Sequence, residues 1–482
     1  MEALQRLHNR GSVSTGYDIE YSVKNEDANG ERFQSGSWFT NYSSTKTFTY
    51  SMWVKRTDLT TGTNYLLQYQ YNTGVGFSFG FAADNSTQAL YYLLQTSGTV
   101  YAYGKTTALY RDTSAWYHIV WRVDTTQATA ADRIRIYVNG VQQDLESGGN
   151  GHPAYPSQNY DAPLQTTQYV LGAGGTGGFC GYCSEYYFID GQSLAPTEFG
   201  EFDSDTGIWK PIEYTGTFGN EGYYLDFADA SALGKDVSPN NQGNFSHYGG
   251  SSTDQATDTP TNNFCTLNTN SALGVVNYIE GATIGITASS PLDEPGEASI
   301  MFNKGKWYYE CRAVGTTDAD AMFGLGKVNE WGLSSSNPGN DAYSFAYHSA
   351  GRVYYNNNTS ITGWATYGTT DKIMVAIDHD NGFAYFGVNG TWGNSGVPTS
   401  GATGTGGFDY FGNTSIASGD DVVFAFRIHY RANNQSYYNF GGYTVMSISS
   451  AETDANGYGT FEYAPPSGYY ALCTKNLAEF GG

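Results

Sequence analysis

Asp378 and Asp380 stand two residues apart, the spacing that sets two carboxylates on one face of a strand, and Glu198 and Glu201 form a second acidic pair. Glycoside hydrolysis needs two such acids about 5–5.5 Å or about 6.5–9.5 Å apart. Asp380-Asn381-Gly382 reads instead as a turn in which the aspartate caps its own backbone, and no alternating strand carries Glu198 and Glu201. Asp203 and Asp205 ahead of Gly207, and Asp226 with Asp229, have part of the oxygen spacing of a calcium loop. Neither run supplies enough hard oxygens by itself, so a structural calcium is the one candidate ion and no organic cofactor is expected. Cys180-Gly181-Tyr182-Cys183 has the spacing of half a zinc site or of a redox pair. With 5 cysteines in the chain and no second CxxC, free thiols are expected ahead of a vicinal bridge or a metal. His118 projects opposite the apolar face of its strand and reads as a half-exposed polar contact rather than a base. No HExxH occurs, and the Gly-x-Ser-x-Gly run Gly76–Gly80 lies inside the alternating stretch Val75–Phe81 rather than at a strand-to-helix elbow, so no strong hydrolase signature is present.

Aromatic side chains in polar loops are the better lead. A sugar offers a C–H face to a ring and hydroxyls to amides and carboxylates. Tyr155, Asn159, Tyr160 and Asp161 share one such loop; Tyr354, Tyr355, Asn356, Asn357 and Asn358 share another. Both are candidate glycan sites, with surface cover and contact between subunits as the competing roles.

The elements that must position these loops are strands. In Ser114–Val123 the residues Tyr117, Ile119, Trp121 and Val123 share a face, and in Arg133–Val138 the residues Ile134, Ile136 and Val138 do. Asn139-Gly140 supplies the positive φ angles of a tight hairpin, so Val141-Gln142 should return antiparallel. Phe48, Tyr50, Met52 and Val54 repeat the pattern. Near the other end, Trp307, Tyr309 and Cys311 share a face, and Asp371–Asp378 and Phe383–Val388 flank a turn before a second Asn389-Gly390. Leu171–Gly178 is glycine-rich but lacks the lysine and the helix of a phosphate loop.

The chain of 482 residues exceeds one core. With Gly 61, Tyr 42 and only 14% charged residues, the expected class is all-β, as two antiparallel β-sandwiches. The expected parts are an N-terminal arm at 1–16, a jelly roll over 17–200, a connecting region with a long loop over 201–283 that bridges two sandwiches, and a second sandwich over 284–482 ending in an extended tie. A net charge of -23 opposes nucleic acid and anionic membranes as partners. No apolar leader opens the sequence and no run has the length of a membrane span, so membrane insertion is not expected and export would proceed by lysis or within a particle.

Phe48–Arg56 (FTYSMWVKR), Ser114–Gly140 and Tyr187–Asp203 (YFIDGQSLAPTEFGEFD) resemble the concanavalin A-like, laminin-G-type jelly roll of structural and fibre proteins of tailed bacteriophages, marine ones especially. Gly222–Asp229 (GYYLDFAD) and Thr257–Asn268 resemble the segment that follows it there. Gly305–Glu310 (GKWYYE), Ile377–Gly382 and Phe386–Gly390 resemble a SPRY-like sandwich. The resemblance implies a non-enzymatic virion appendage of tail-fibre or spike type, exposed on the particle, a homotrimer by analogy with fibres, contacting other virion proteins and host surface polysaccharide. A capsid or tail decoration with protein contacts only is the structural alternative, and a polysaccharide depolymerase the enzymatic one. The wider laminin-G family often carries calcium at the sandwich rim, but its ligands do not map onto this chain residue by residue.

Overall fold

The computed structural model describes residues 16–481 apart from 27–29, 60–63, 69–75, 82–87, 97–98, 147–153, 165–166, 173–177, 271–275, 288–293, 315–320, 331–336 and 429–434. The expected arm at 1–16 lies outside the described residues except for Gly16. Two compact units divide the chain, Ser14–Thr261 and a second that runs from Asn262 to the C-terminus. Both are antiparallel β-sandwiches, and no described helix is long and apolar enough to cross a membrane.

Thr47–Arg56 lies at the centre of the larger sheet of the first sandwich, between Trp116–Asp124 and Gly181–Asp190. Outward from these lie Ile134–Val138 and Val141–Gln142 on one side, Ser22–Asn25 and Gln255–Ala256 on the other. The facing sheet runs Ser246–Tyr248, Arg32–Gln34, Tyr169–Val170, Asn64–Gln68, Gly76–Phe81, Leu90–Thr96, Thr99–Lys105. Alternation puts Phe48, Tyr50, Met52 and Val54 inward with Ile119, Trp121, Val123, Ile134, Ile136 and Val138, against Phe77, Phe79, Tyr92 and Leu94 of the other sheet. Asn139 (φ 48) and Gly140 (φ 77) make the expected hairpin, in register Val141↔Val138.

The stretch 201–283 does not form a bridge between sandwiches. Residues through Thr261 belong to the first unit and those from Asn262 to the second. Tyr223–Leu225, Ser246–Tyr248 and Gln255–Ala256 are paired strands of the first sandwich. Phe199, Tyr214 and Phe218 pack with Val120, Tyr137, Tyr187 and Ile189, the outward residues of the larger sheet. That face is apolar enough to need a cover, because each large side chain withdrawn from water contributes about 1.5–3 kcal/mol. Gly140 serves the turn and the cover together, since a Cβ there would stand 2.3 Å from the Trp209 ring.

The second sandwich has Lys306–Val314 between Ile373–Asp378 and Gln435–Asn439 in its larger sheet, with Phe383–Val388 beyond and Tyr470–Ala471 added in parallel. Its smaller sheet runs Glu294–Phe302, Val422–Ile428, Met322–Lys327, Ser344–His348, Arg352–Tyr355, Thr359–Thr362. Trp307, Tyr309 and Cys311 point into the core, and Asn389 (φ 49) with Gly390 (φ 84) closes a second tight hairpin. The outward face of the larger sheet is again covered: Tyr308, Met374, Ala376 and Tyr385 pack with Phe461, Tyr469, Ala471 and Cys473.

Candidate functional site

Tyr155, Asn159, Tyr160 and Asp161 come together with a residue that the sequence patterns did not single out. Thr99–Lys105 is the last strand of its sheet, and Tyr101, 44% exposed, stacks on Tyr160 with ring centroids 5.1 Å apart and planes inclined by 29°. The loop is held by backbone bonds to its neighbours. Tyr103 and Ala154 exchange backbone hydrogen bonds of 2.9 and 2.8 Å, Asn159 N–H donates to the Thr125 carbonyl at 2.7 Å, and Arg133 donates to the Pro156 carbonyl at 2.8 Å. Thr125 Oγ1 donates to the Tyr160 carbonyl at 2.7 Å. Asn159 takes a positive φ of 61, which asparagine tolerates, and remains exposed beside the stack. Asp161 accepts from Thr45 Oγ1 at 2.6 Å and faces Lys46 Nζ at 3.6 Å. Tyr155 and Tyr160 are half-buried against the core edge, and burial pushes both phenols up. An exposed ring, a second ring beneath it and polar groups on a braced loop form an amphipathic platform. The only available clue in sequence was the alternation Tyr101-Ala102-Tyr103.

The second tyrosine loop does not assemble in the same way. Tyr354 and Tyr355 are adjacent in a strand and therefore face opposite sides of the sheet. Tyr355 packs on Phe408 at 5.2 Å, whereas Tyr354 meets His348 edge-on at 5.4 Å. Asn356, Asn357 and Asn358 all adopt positive φ (40, 61 and 62) at the exposed hairpin tip.

The four aspartates considered for calcium are engaged by their own neighbourhoods. Asp203 accepts from the Asp205 and Thr206 amides and from Thr206 Oγ1, and pairs with Lys210 at 3.3 Å. Those donors, the Thr206 amide first, hold its carboxyl down to about 2. Asp205 is exposed. Asp226 accepts from the Ala228 amide, and Asp229 caps a short 3-10 turn through Ser231 and pairs with Lys235. None of the four belongs to the one three-residue group of potential metal ligands found among the described residues, which is Glu31, His247 and Asp254.

Those three offer one ligand atom each within 4.8 Å of one another, a geometry a metal could use. Calcium takes oxygen ligands, and an imidazole is foreign to that preference. Lys24 Nζ, moreover, already lies 3.0 Å from Glu31 Oε1 and 2.9 Å from Asp254 Oδ1, with Lys24 only 1% exposed. The ammonium fills the place of the cation, so these residues do not fit calcium.

His118 is not half-exposed: it is 1% exposed beneath the cover. Its Nε2 lies 2.8 Å from Ser51 Oγ, which has the outline of a hydrolytic dyad. Trp209 Nε1, a donor only, bonds His118 Nδ1 at 2.9 Å. Nδ1 is therefore an acceptor, Nε2 carries the proton and donates to serine, and the tautomer is the reverse of what activating a serine requires. Burial pushes the imidazole down to about 3. Asp378 pairs with Lys306 at 2.8 Å and bonds Asn381, while Asp380 accepts from the Gly305 amide at 2.8 Å. Glu201 faces Lys210 at 3.3 Å. All five cysteines are buried and free, and Cys180 and Cys183, three apart along an extended run, project to opposite faces.

Residues 27–178 match the laminin-G-type family model described as the Concanavalin A-like lectin/glucanases superfamily. No match is found among curated proteins. The solved structures that the chain resembles include the SPRY domain of human HERC1, at 14% identity over 35% of this chain and 92% of that one with a TM-score of 0.26. A human SPRY domain is 15% identical over 34% and 93% with a TM-score of 0.25, and stonustoxin 16% identical over 36% and 27% with a TM-score of 0.27. The chain is an all-β protein of two antiparallel sandwich regions, and the first is the one that matches the concanavalin A-like model.

Proposed function

We propose that the chain is a non-enzymatic attachment protein that holds host-surface saccharide on the Tyr101–Tyr160 platform, carried on a tailed-phage particle as an appendage of tail-fibre or spike type. The observation that supports it is the exposed Tyr101 ring, stacked 5.1 Å from Tyr160 on a lectin-type sandwich. A pyranose laid on Tyr101 places its C–H face on the ring and its hydroxyls toward Asn159 and Asp161. The stack and the braced loop are present before the ligand arrives, which lowers the ordering cost of binding. The phage placement rests on sequence phrases alone, those at 48–56, 114–140, 187–203, 222–229 and 257–268. Several copies on one particle would raise a weak single-site affinity by avidity.

Binding of the full chain to an array of bacterial surface glycans tests the saccharide, with Tyr101→Ala as the control. The expected result is a set of bound glycans and at least a tenfold loss for Tyr101→Ala, with unfolding unchanged. No bound glycan, or binding indifferent to Tyr101, overturns it. Antibody labelling of purified particles tests the virion placement separately: label on the particle supports it, and protein found only free in the lysate rejects it.

A further inference from the structure

We propose that the strand Thr359–Thr362 is the contact between two copies of this chain, pairing antiparallel with itself about a two-fold axis. Among the described residues the strand is outermost in its sheet and pairs only with Arg352–Tyr355. All four residues, Thr-Ser-Ile-Thr, are exposed, and Ile361 keeps 45% of its surface in water.

Most other described sheet edges carry protection against such pairing; Val276–Ile279 is as long as Thr359–Thr362, but its Tyr278 and Ile279 are half-buried. Val141–Gln142, Gln255–Ala256 and Thr391–Trp392 have two residues each, and Ser246–Tyr248 has three. Glu294–Phe302 contains Pro295 and a break in register between Glu297 and Met301. Thr99–Lys105 is bridged at Tyr103 by Ala154, and Thr106 just beyond it by Leu145, while its first three residues are exposed. Short edges, prolines, bulges and covering segments are the devices by which soluble sheets avoid adding strands. Thr359–Thr362, four residues long and wholly exposed, has no proline, bulge or covering segment among the described residues, and threonine and isoleucine suit a strand.

Two features favour a second copy as the occupant. From Ala342 to Thr370 the sequence contains no Asp or Glu, although the chain holds 46 of them and a net charge of -23. Copies of a strongly acidic chain repel, and this is a stretch where they can approach with little repulsion. The second feature is parity. A two-fold axis normal to the sheet must pair residues that face the same side, so a strand can meet itself only when centred on a residue. Centring on Ile361 sets Ile361 opposite its own copy and Ser360 opposite Thr362. Ile361 is in register with the buried Val353, so the isoleucine pair continues the core side of the sheet, and hydroxyl pairs line the other side. The arrangement does not depend on saccharide binding, and it differs from the threefold assembly that fibre resemblance implies.

The test uses the full chain in sedimentation and light scattering. The expected mass is twice 52.4 kDa. Ile361→Lys and Ile361→Glu each place like charges opposite one another and should weaken the dimer at least tenfold, with the circular dichroism and Tm unchanged. Mixing the two variants should restore a one-to-one dimer, which a folding defect would not do. Ile361→Cys should form an intermolecular disulfide on mild oxidation, because opposed residues of an antiparallel pair lie about 4.5–5.5 Å apart at Cα, within disulfide reach. The buried native cysteines stay silent, and Val397→Cys, at a position 44% exposed elsewhere, should not link. A monomer, a trimer, or a dimer that survives both charged variants overturns the proposal.

Discussion

In the first sandwich the segment after residue 194 crosses the outer face of the larger sheet and is fastened by ions. Lys55, 0% exposed, meets Asp258 at 2.7 Å, Trp116 Nε1 donates to the other Asp258 oxygen at 3.0 Å, and Lys24 bridges Glu31 and Asp254. In the second sandwich the segment after residue 441 covers the equivalent face, and neutral donors converge on one carboxylate. Glu310, 0% exposed, accepts from Tyr308 Oη, Asn439 Nδ2 and the amides of Glu462 and Tyr463. Burial still raises its carboxyl above the ordinary value, although each of these donors pulls it down. Two covers of similar chemistry outside are thus locked by different chemistry inside. An ion pair concentrates the fastening in two side chains, so loss of either leaves a buried charge; a ring of neutral donors spreads it over four groups.

The sharpest break between the two is Asp258→Ala. It removes the carboxylate that the buried Lys55 meets at 2.7 Å and should cost about 3–5 kcal/mol in denaturant unfolding. Glu310→Gln retains an acceptor oxygen and should cost about 1–3 kcal/mol. Equal losses would abolish the contrast. Acid should act first on the first sandwich. Folded His118 is neutral down to about 3 against 6.5 for the free group, so the unfolded chain takes up the proton first. Its contribution is complete above 6.5 and is lost as pH falls from there toward 3, by up to about 1.4 kcal/mol per unit. Burial lowers His247 in the first sandwich and His379 in the second in the same direction. Urea midpoints taken from pH 7 to pH 4 check the order in which the two units unfold.

Trp209→Phe keeps the cover's ring but leaves His118 Nδ1 without a donor, with an expected cost of about 1–3 kcal/mol in thermal unfolding. Tyr101→Ala should change stability by less than about 0.5 kcal/mol while removing saccharide binding, because the ring is mostly outside the core. Smallest of all, a chelator should leave the Tm unchanged. The aspartates at 203, 205, 226 and 229 are used locally or exposed, and Lys24 fills the remaining cluster; a fall in Tm would show a metal site elsewhere.

Strands, tight turns and inward faces were legible because each is written in local sequence. Phe48, Tyr50, Met52 and Val54 announce a face by alternation, and Asn139-Gly140 and Asn389-Gly390 announce their hairpins by the need for positive φ. The tyrosine loop at 155–161 was legible as composition. Its partner Tyr101 was not, since the alternation Tyr101-Ala102-Tyr103 marks a strand but not the loop that will reach it.

Sequence alone determined the all-β class, the two sandwiches and their hairpins, for the period-two pattern and turn chemistry depend on neighbours one to four residues away. Only the tertiary structure decided where 201–261 goes. Periodicity identifies the face that meets the core but cannot say whether the opposite face meets water or a third layer. His118, read as half-exposed, is buried because Trp209 arrives from 91 positions away, and Lys55 is buried because Asp258 arrives from 203. Contacts that distant leave no local signature, so the chemistry of His118 and the fastening of the cover became visible only when the chain had been folded.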